Sequence, residues 1–432
     1  MFRRPRTIVV SLALSFLGGV AEGQWRRAGL DGTIVTALAV DPSNASTIYA
    51  GTSQAGLWKS VNGGATWSAS GSGYTGDIVT ALLIDPSSPN VLYVGSNVGV
   101  FKSINAGATW NLKVAGLSDN RVQALALDPS SPNVLYVSVL GPNGGIHRSA
   151  NGAEVWTPRA LPVPSGAAAA LAVRGGDVYA GWANVLFRSQ NAGSSWTIPF
   201  PDVLTGSIAA IAAPSGETDV VVGLSQRGIY RTVSTPSPDW VRAAGLTSLR
   251  IAVLAVRPGD QQTIFAGGSG GGVFRSSDGG RSWTRVSTGL SNTDVAALAF
   301  DSSGGRLYAA TADGVFVLDL AQCGSPSALC LTAARFRVEV AWRVASQGRT
   351  GVGTAVPIAD DTGAFWFFDS ANLELMIKVL DARPINGRFW VFFGALSDIE
   401  YTVTVTDLVT GAVKRYDNPQ GRLASVADTS AF

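Results

Sequence analysis

Short apolar stretches recur along the first three quarters of the chain, separated by turns rich in glycine and proline. Each stretch is too short for a helix of ordinary length and is apolar on both faces, as a strand buried between two layers is. Alanine holds the third position in six of the seven, which places small side chains where strands crowd around a common axis. The stretches are VTALAV (35–40), VTALLI (79–84), VQALAL (122–127), AAALAV (168–173), IAAIAA (208–213), IAVLAV (251–256) and VAALAF (295–300).

Further elements follow these first strands at nearly constant distance. A second strand, such as TIYAG (47–51), comes after a turn that in three copies begins with Asp-Pro, where proline presets the backbone of a turn. A third strand ends in an aromatic-basic-Ser pattern, such as LWKS (57–60), and a glycine turn leads to a tryptophan that opens a fourth strand. These are Trp67, Trp110, Trp156, Trp196, Trp240 and Trp283, at intervals of 43, 46, 40, 44 and 43 residues. Four short strands in about 43 residues are the period of a propeller blade.

The seventh copy stops after its third strand, GVFVLDL (314–320), whereas QWRRAGL (24–30) resembles the end of a fourth strand. We therefore predict an all-β chain with a seven-bladed β-propeller over residues 24–320, in which the N-terminal strand completes the last blade and removes its exposed edge. The stretch GGSGGG (267–272), between a second and a third strand, is interpreted as a flexible loop.

The turns between third and fourth strands share the pattern Ser-x-Asp/Asn-x-Gly-x-x-Trp. A hydroxyl and a short polar side chain can bond loop amides there, and glycine accepts positive φ. The pattern resembles the Asp-box, or bacterial neuraminidase repeat, found in sialidases, tandem-propeller xyloglucanases, the sortilin luminal domain and photosystem assembly-factor propellers. Because these families differ in function, the resemblance implies architecture and a structural role at the blade periphery. Its residues here are Ser60, Asn62, Gly64, Trp67, Ser103, Asn105, Gly107, Trp110, Ser149, Asn151, Trp156, Ser189, Asn191, Gly193, Trp196, Ser276, Asp278, Gly280 and Trp283.

The first 23 residues have the layout of an export signal. Three arginines precede an apolar run over residues 7–20, and small residues lie at 21 and 23. The run is shorter than the roughly 20 apolar residues that cross a bilayer, so we expect a cleaved signal and no transmembrane segment in the mature chain. We expect a secreted, periplasmic or cell-surface protein, and 27 arginines against 5 lysines suggest a bacterium.

Residues 321–432 lack the repeat and contain further strand-like runs, from which we predict a small β-sandwich. It resembles a C-terminal module of secreted bacterial proteins, for which no activity can be carried over. Cys323 and Cys330 are expected to form a disulfide in an exported chain. A cluster of aromatic residues is interpreted as core, with a sugar-stacking platform as the alternative: Phe365, Trp366, Phe367, Phe368, Phe389, Trp390, Phe392 and Phe393.

Composition restricts the chemistry that the chain can support. The net charge of +2 argues against a nucleic-acid partner. One histidine and two cysteines leave little material for a metal site or a Ser-His-Asp triad, and His147 occupies a third-strand position that is aromatic in other copies. Asparagine replaces aspartate in four of the five repeated turns, which makes them poor hosts for calcium. We expect no cofactor, no metal and no catalytic residue.

The remaining candidate is a binding face. Loops that precede first strands and loops that join second to third strands usually line one end of a propeller channel. Mixed charges there suit a protein or glycan partner, and the alternative is that these are ordinary solvated residues. The candidates are Asp31, Asp77, Asp119, Arg121, Trp182, Gln226, Arg227, Arg250 and Asp294.

Three functions remain open at this point. The first is an exported, non-enzymatic recognition or scaffold protein, expected to be a monomer. The second is a glycoside hydrolase similar to a sialidase or xyloglucanase, although the chain lacks a Phe-Arg-Ile-Pro-type motif and has room for only one propeller. The third is a structural or assembly role in an envelope complex.

Overall fold

The computed structural model describes residues 25–163, 166–200, 204–214, 219–233, 239–246, 249–320, 327–332, 335–359, 361–407 and 412–432. The predicted export signal lies outside these residues. The fold is almost entirely antiparallel β-structure, as the short apolar stretches predict.

Within the described residues up to 320, the strands form seven consecutive antiparallel sheets, which we number in chain order. Sheet 1 holds β2 to β5 (Val35–Val40, Ile48–Thr52, Leu57–Ser60, Ser68–Ala69) and sheet 2 holds β6 to β9 (Val79–Ile84, Leu92–Ser96, Gly99–Ser103, Asn111–Lys113). Sheet 3 holds β10 to β13 (Val122–Leu127, Leu135–Val139, Gly145–Ser149, Thr157–Pro158) and sheet 4 holds β14 to β16 (Ala170–Arg174, Asp177–Trp182, Val185–Ser189). Sheet 5 holds β17 to β20 (Ile208–Ala212, Val221–Leu224, Gly228–Val233, Asp239–Arg242) and sheet 6 holds β21 to β24 (Arg250–Arg257, Asp260–Ser269, Gly272–Ser276, Thr284–Arg285). Sheet 7 holds β25 to β27 (Val295–Phe300, Arg306–Thr311, Gly314–Asp319) together with β1 (Arg26–Arg27).

The predicted pairing of the N-terminal strand with the last sheet is confirmed. Arg26 lies opposite Val317 and Arg27 opposite Phe316, in antiparallel register. The preceding residue, Trp25, is buried, and its indole Nε1 donates to the carbonyl of Val286 at 2.6 Å. The start of the described chain is therefore held by sheet 7 and by the end of sheet 6.

Apolar clusters fill the spaces between neighbouring sheets. The cluster between sheets 1 and 2 contains Tyr49, Val79, Phe101 and Trp110, and similar clusters join each later sheet to the next. Another cluster packs Val35 of sheet 1 against Val317 of sheet 7. The last sheet thus packs against the first, and the succession of sheets is closed.

Two details differ from the sequence prediction. The expected fourth strand of sheet 4 is reduced to a single bridge between Arg188 and Thr197, since Pro199 supplies no backbone donor close by. The interpretation of the glycine-rich stretch (267–272) as a flexible loop is wrong. Most of it lies in β22 and β23, and only residues 270–271 form the turn. Glycine is required there: a Cβ on Gly268 would lie 1.7 Å from the carbonyl oxygen of Arg250.

The described residues after 326 form two five-stranded sheets. One holds β28 (Ala328–Leu331), β29 (Phe336–Val344), β30 (Arg349–Val352), β35 (Glu400–Asp407) and β36 (Val413–Asn418). The other holds β31 (Thr354–Ala359), β32 (Thr362–Trp366), β33 (Leu375–Ala382), β34 (Arg388–Ala395) and β37 (Ser425–Asp428), with the short helix α1 (Arg383–Asn386) between β33 and β34. A single apolar cluster contains buried side chains of both sheets.

This cluster separates the aromatic residues of the C-terminal region into two groups. Phe365, Phe367, Phe389 and Phe393 belong to it, as the core interpretation expects. The other four alternate with these along the chain and are at least partly exposed: Trp366, Phe368, Trp390 and Phe392. Cys323 lies outside the described residues, so its bond to Cys330 of β28 stays a prediction.

Candidate functional site

The two predicted sets of loops meet at one end of the sheets. The amide of Gly228, which begins the third strand of sheet 5, donates to the carbonyl of Leu249 just before sheet 6. Gly272 of sheet 6 bonds Thr293 before sheet 7 in the same way, at 3.0 Å. In both cases the turn between second and third strands lies beside the segment that leads into the next first strand. We call this end the upper face and the opposite end the lower face.

Two of the candidate aspartates organise loop backbone on the upper face. The carboxylate of Asp294 accepts a hydrogen bond from the amide of Gly270 at 2.8 Å. The amide of Asp77 donates to the side chain of Asn97 at 3.1 Å, which joins the segment before β6 to the turn after β7. Each contact joins the segment before a first strand to a turn between second and third strands, and the Asp77 carboxylate faces solvent.

Asp119 and Arg121 form an ion pair with each other. The guanidinium lies 3.1 Å from the carboxylate, and the hydrogen bond from Arg121 lowers the pKa of Asp119. The backbone carbonyl of Arg121 also accepts from Leu140 in the neighbouring turn. The ion pair thus stabilises the loop locally, and the charges of the two residues largely compensate each other.

An acidic residue that sequence reasoning missed, Asp313, is the centre of a larger network. Its carboxylate accepts from the hydroxyl of Ser291 at 2.8 Å and from the guanidinium of Arg27 at 2.5 Å. Both hydrogen bonds lower the pKa of Asp313, and the bond from Ser291 has the larger effect. The candidate Asp31 binds the same Arg27 at 2.9 Å. The only signal in the sequence is that residue 313 lies in a turn between a second and a third strand.

The remaining candidates differ in exposure. Trp182 is the last residue of β15 and is half-buried, so its assignment to a loop is wrong. Arg227 and Arg250 are exposed, and they directly flank the hydrogen-bonded pair Gly228 and Leu249. Two exposed arginines therefore lie on the segments that adjoin between sheets 5 and 6.

The repeated serine-containing turns lie on the lower face and bond to themselves. In the first copy the Ser60 hydroxyl accepts from the amide of Gly64 at 2.9 Å, and the side chain of Asn62 accepts from the amide of Thr66. The same bonds recur in the other copies, for example from Gly107 to Ser103 and from Gly280 to Ser276. The polar side chains of these turns form hydrogen bonds within the turn, so their role is structural.

Several tryptophans of these turns connect neighbouring sheets. The indole of Trp67 donates to Ala28 at 2.7 Å, that of Trp110 to Ser70 at 2.6 Å, and that of Trp156 to Lys113 at 3.1 Å. Each acceptor belongs to the preceding sheet or the segment beside it. The tryptophan spacing that reveals the repeat thus reflects a recurring contact between sheets.

His147 is buried in β12, as its aromatic counterparts predict. Its Nε2 accepts from the amide of Ser118 at 3.3 Å, so the neutral ring carries its proton on Nδ1. Burial lowers the pKa of this imidazole. The residue packs between layers and offers no exposed base.

Among the described residues, no group of three or more histidine, cysteine, aspartate or glutamate side chains could hold a metal ion. No helix in the same residues is long and apolar enough to cross a membrane.

The closed succession of antiparallel sheets is a β-propeller, and solved structures share the fold. The chain is similar to the GH74 xyloglucanase from Xanthomonas campestris, with 16% identity and a TM-score of 0.55 over 93% of this chain and 75% of that one. It is similar to PorZ of the type-IX secretion system of Porphyromonas gingivalis, with 15% identity and a TM-score of 0.55 over 89% and 59%. It is also similar to YCF48 bound to D1 peptide, with 12% identity and a TM-score of 0.53 over 70% and 98%. No protein-family model and no curated protein sequence matches the chain. At these identities the similarity concerns the fold alone.

Proposed function

We propose that this is an exported, non-enzymatic recognition or scaffold protein whose upper face binds a protein or glycan partner. The observation that carries the proposal is that two sets of loops, which differ from sheet to sheet, meet at one end of the sheets. The other end is occupied by repeated turns whose polar groups bond to one another. Rigid frameworks that present variable loops are a common design for recognition.

The proposal includes the architecture. Seven sheets and the apolar cluster between sheets 7 and 1 support seven blades over residues 24–320, with serine-containing turns of the Asp-box type. The core common to the two C-terminal sheets supports a β-sandwich over residues 321–432. Residues 1–23 act as the export signal, and the mature protein works outside the bacterial cytoplasm.

Two carboxylates of the upper face have pKa shifts opposite to the one that a general acid of glycoside hydrolysis needs. A glycoside hydrolase needs one carboxylic acid whose pKa is raised. The contacts of Asp119 and Asp313 lower their pKa values. YCF48, a propeller of the same fold, has been solved with a bound D1 peptide, which supports a protein as the first class of partner to test.

The test is the triple variant Asp77→Asn, Asp119→Asn and Arg250→Gln. We expect it to retain fewer partners from culture supernatant than the unaltered protein, because its upper face has lost charges that orient a partner. Unchanged retention would exclude this face as the binding site.

A matched control alters charges on the lower face. It is the triple variant Asp41→Asn, Asp260→Asn and Arg281→Gln, whose side chains bond within lower-face turns. Retention should fall only in the upper-face variant. A glycan array probed with both proteins distinguishes a sugar from a protein partner, and turnover of any arrayed sugar would instead support the hydrolase.

A further inference from the structure

Large apolar side chains are exposed at one part of the upper face. Ile34 is 50% exposed and Ile78 is 43% exposed, although both directly precede buried strands. Leu140, in the turn beside Arg121, is 38% exposed. Several exposed apolar side chains grouped within polar surroundings mark a binding surface more often than a single exposed apolar side chain does.

The two isoleucines precede neighbouring first strands, β2 and β6, which are in contact at this end. The hydroxyl of Thr36 in β2 donates to the carbonyl of Val79 in β6 at 2.6 Å. Ile78 is the residue before Val79, and Ile34 lies two residues before Thr36. We call Ile34 and Ile78 the isoleucine patch.

The patch breaks the symmetry of the repeat. The equivalent position before the first strand holds a charged or small residue in the other five sheets. These residues are Arg121, Ala167, Ser207, Arg250 and Asp294. Packing of the sheets therefore does not require an isoleucine at this position, and its occurrence in two adjacent sheets needs another reason.

Asp77 places a negative charge beside the patch. Its carboxylate lies 3.4 Å from the amide nitrogen of Asn97, a long contact, and no lysine or arginine of the described residues forms an ion pair with it. By contrast, Asp31 and Asp119 are each paired with an arginine. The Asp77 carboxylate is thus available for a cation that comes from outside the chain.

We propose that the isoleucine patch and Asp77 bind a polypeptide segment that carries a large apolar side chain next to a lysine or arginine. The inference rests on the proposed function and narrows its partner to a protein. The apolar side chain covers Ile34 and Ile78, and the exclusion of water strengthens the attraction between Asp77 and the cation. Branched aliphatic side chains offer no flat aromatic surface of the kind on which sugar rings stack, which makes a glycan a poorer fit here.

The experiment selects ligands without assuming a natural partner. Random linear peptides displayed on phage are enriched on the immobilised full-length protein, and enriched peptides are synthesised and titrated by fluorescence anisotropy. We expect enriched sequences to pair an apolar residue with lysine or arginine. The double variant Ile34→Ser with Ile78→Ser should weaken their binding about tenfold or more.

A matched control replaces two equally apolar residues on the lower face. Val61 and Ile104 are 64% and 67% exposed in the serine-containing turns, and the double variant Val61→Ser with Ile104→Ser should bind the peptides with unchanged affinity. The variant Asp77→Lys alters an exposed charge without touching the patch. It should weaken binding several-fold at low salt and less at high salt.

The possible results separate this inference from the proposed function. Peptides that bind the isoleucine variant with full affinity but fail to bind the upper-face triple variant would overturn the patch and keep the face. Binding to arrayed glycans without peptide enrichment would overturn the protein partner while leaving a recognition role. Self-association that the isoleucine substitutions abolish would show a second copy of the chain as the occupant, against the inference. Equal thermal midpoints are required of all variants, and Asp77→Lys decides the question if the isoleucine variant unfolds.

Discussion

A pair of positions between neighbouring sheets offers a quantitative test of the packing. In five sheets a glycine near the end of the second strand approaches a β-branched residue at the start of the next first strand. A Cβ on Gly51 would lie 2.2 Å from Val79, which no real structure tolerates. The other four pairs are Gly95 with Val122, Gly181 with Ile208, Gly223 with Ile251 and Gly267 with Val295.

The contact between sheets 3 and 4 uses different residues at the same positions. In sheet 3, Ser138 of β11 lies opposite Ala124 and Ile146. In sheet 2, Gly95 of β7 lies opposite Ala81 and Val100. Ser138 and Gly95 therefore hold equivalent positions in the two sheets. Ala168 occupies the position of the β-branched residue and is fully buried. A larger residue in one sheet thus coincides with a smaller one in the next, which conserves the volume of the contact.

We therefore predict that Ala168→Val forces two methyl groups against the Ser138 side chain. Overpacking of this kind costs about 1–3 kcal/mol of unfolding free energy. Ser138→Gly alone should be nearly neutral. Glycine within a strand lowers the unfolding free energy by up to about 1 kcal/mol. The substitution also removes a buried hydroxyl that has no hydrogen-bond partner among the described residues, which offsets that cost. The double variant should recover most of the loss, which gives a coupling energy of about 1–3 kcal/mol.

Guanidinium unfolding curves of the four proteins measure this cycle. The reverse exchange supplies an internal control: Gly51→Ser should destabilise sheets 1 and 2, and Val79→Ala should relieve it. Additive effects of the two substitutions at 138 and 168 would refute the reasoning, since they would show that these side chains do not share one space.

Three further predictions concern single side chains. Trp25→Ala should lower the unfolding free energy by about 3–5 kcal/mol, because it empties a buried site and removes the bond to Val286; Trp25→Phe should cost less, and equal losses would contradict the packing. Ser103→Ala should cost about 1–3 kcal/mol because the buried amide of Gly107 loses its acceptor, whereas the exposed Ser68→Ala should have little effect in the same unfolding assay. Burial lowers the pKa of His147, so the unfolded state binds more protons below the ordinary histidine value of 6.5 and stability falls with decreasing pH. His147→Phe should reduce the loss of thermal midpoint between neutral pH and about pH 5, and an unaltered pH dependence would show that another group is responsible.

The repeat made much of the fold predictable. Every first strand was located because a strand buried on both faces must be apolar throughout, and β2 and β6 have the predicted bounds. The pairing of β1 with β27 followed from a missing fourth strand at one end and a surplus strand at the other. Such arguments depend on composition and order, which the sequence displays directly.

Other features depended on contacts that no local pattern reveals. Glycine at 268 was interpreted as flexibility, whereas it permits the backbone of β22 to approach Arg250 closely. The sequence placed Asp119 and Arg121 on the upper face, yet it did not show that they neutralise each other. Asp313 and Ile34 were missed because a residue in a short turn and an apolar residue before a strand are ordinary within one copy of the repeat.

The comparison between copies shows where function can be found in such a molecule. Buried positions repeat because each sheet must fit the next, so a difference in one sheet, such as Ser138, is answered by a difference in its neighbour, Ala168. The position before each first strand carries no such constraint, and its residues range from isoleucine to aspartate. An exposed position that varies without a compensating neighbour is free to match something outside the chain. The upper face is therefore where a partner could shape this sequence, and the isoleucine patch with Asp77 combines exposed apolar side chains with a carboxylate that forms no ion pair within the described residues.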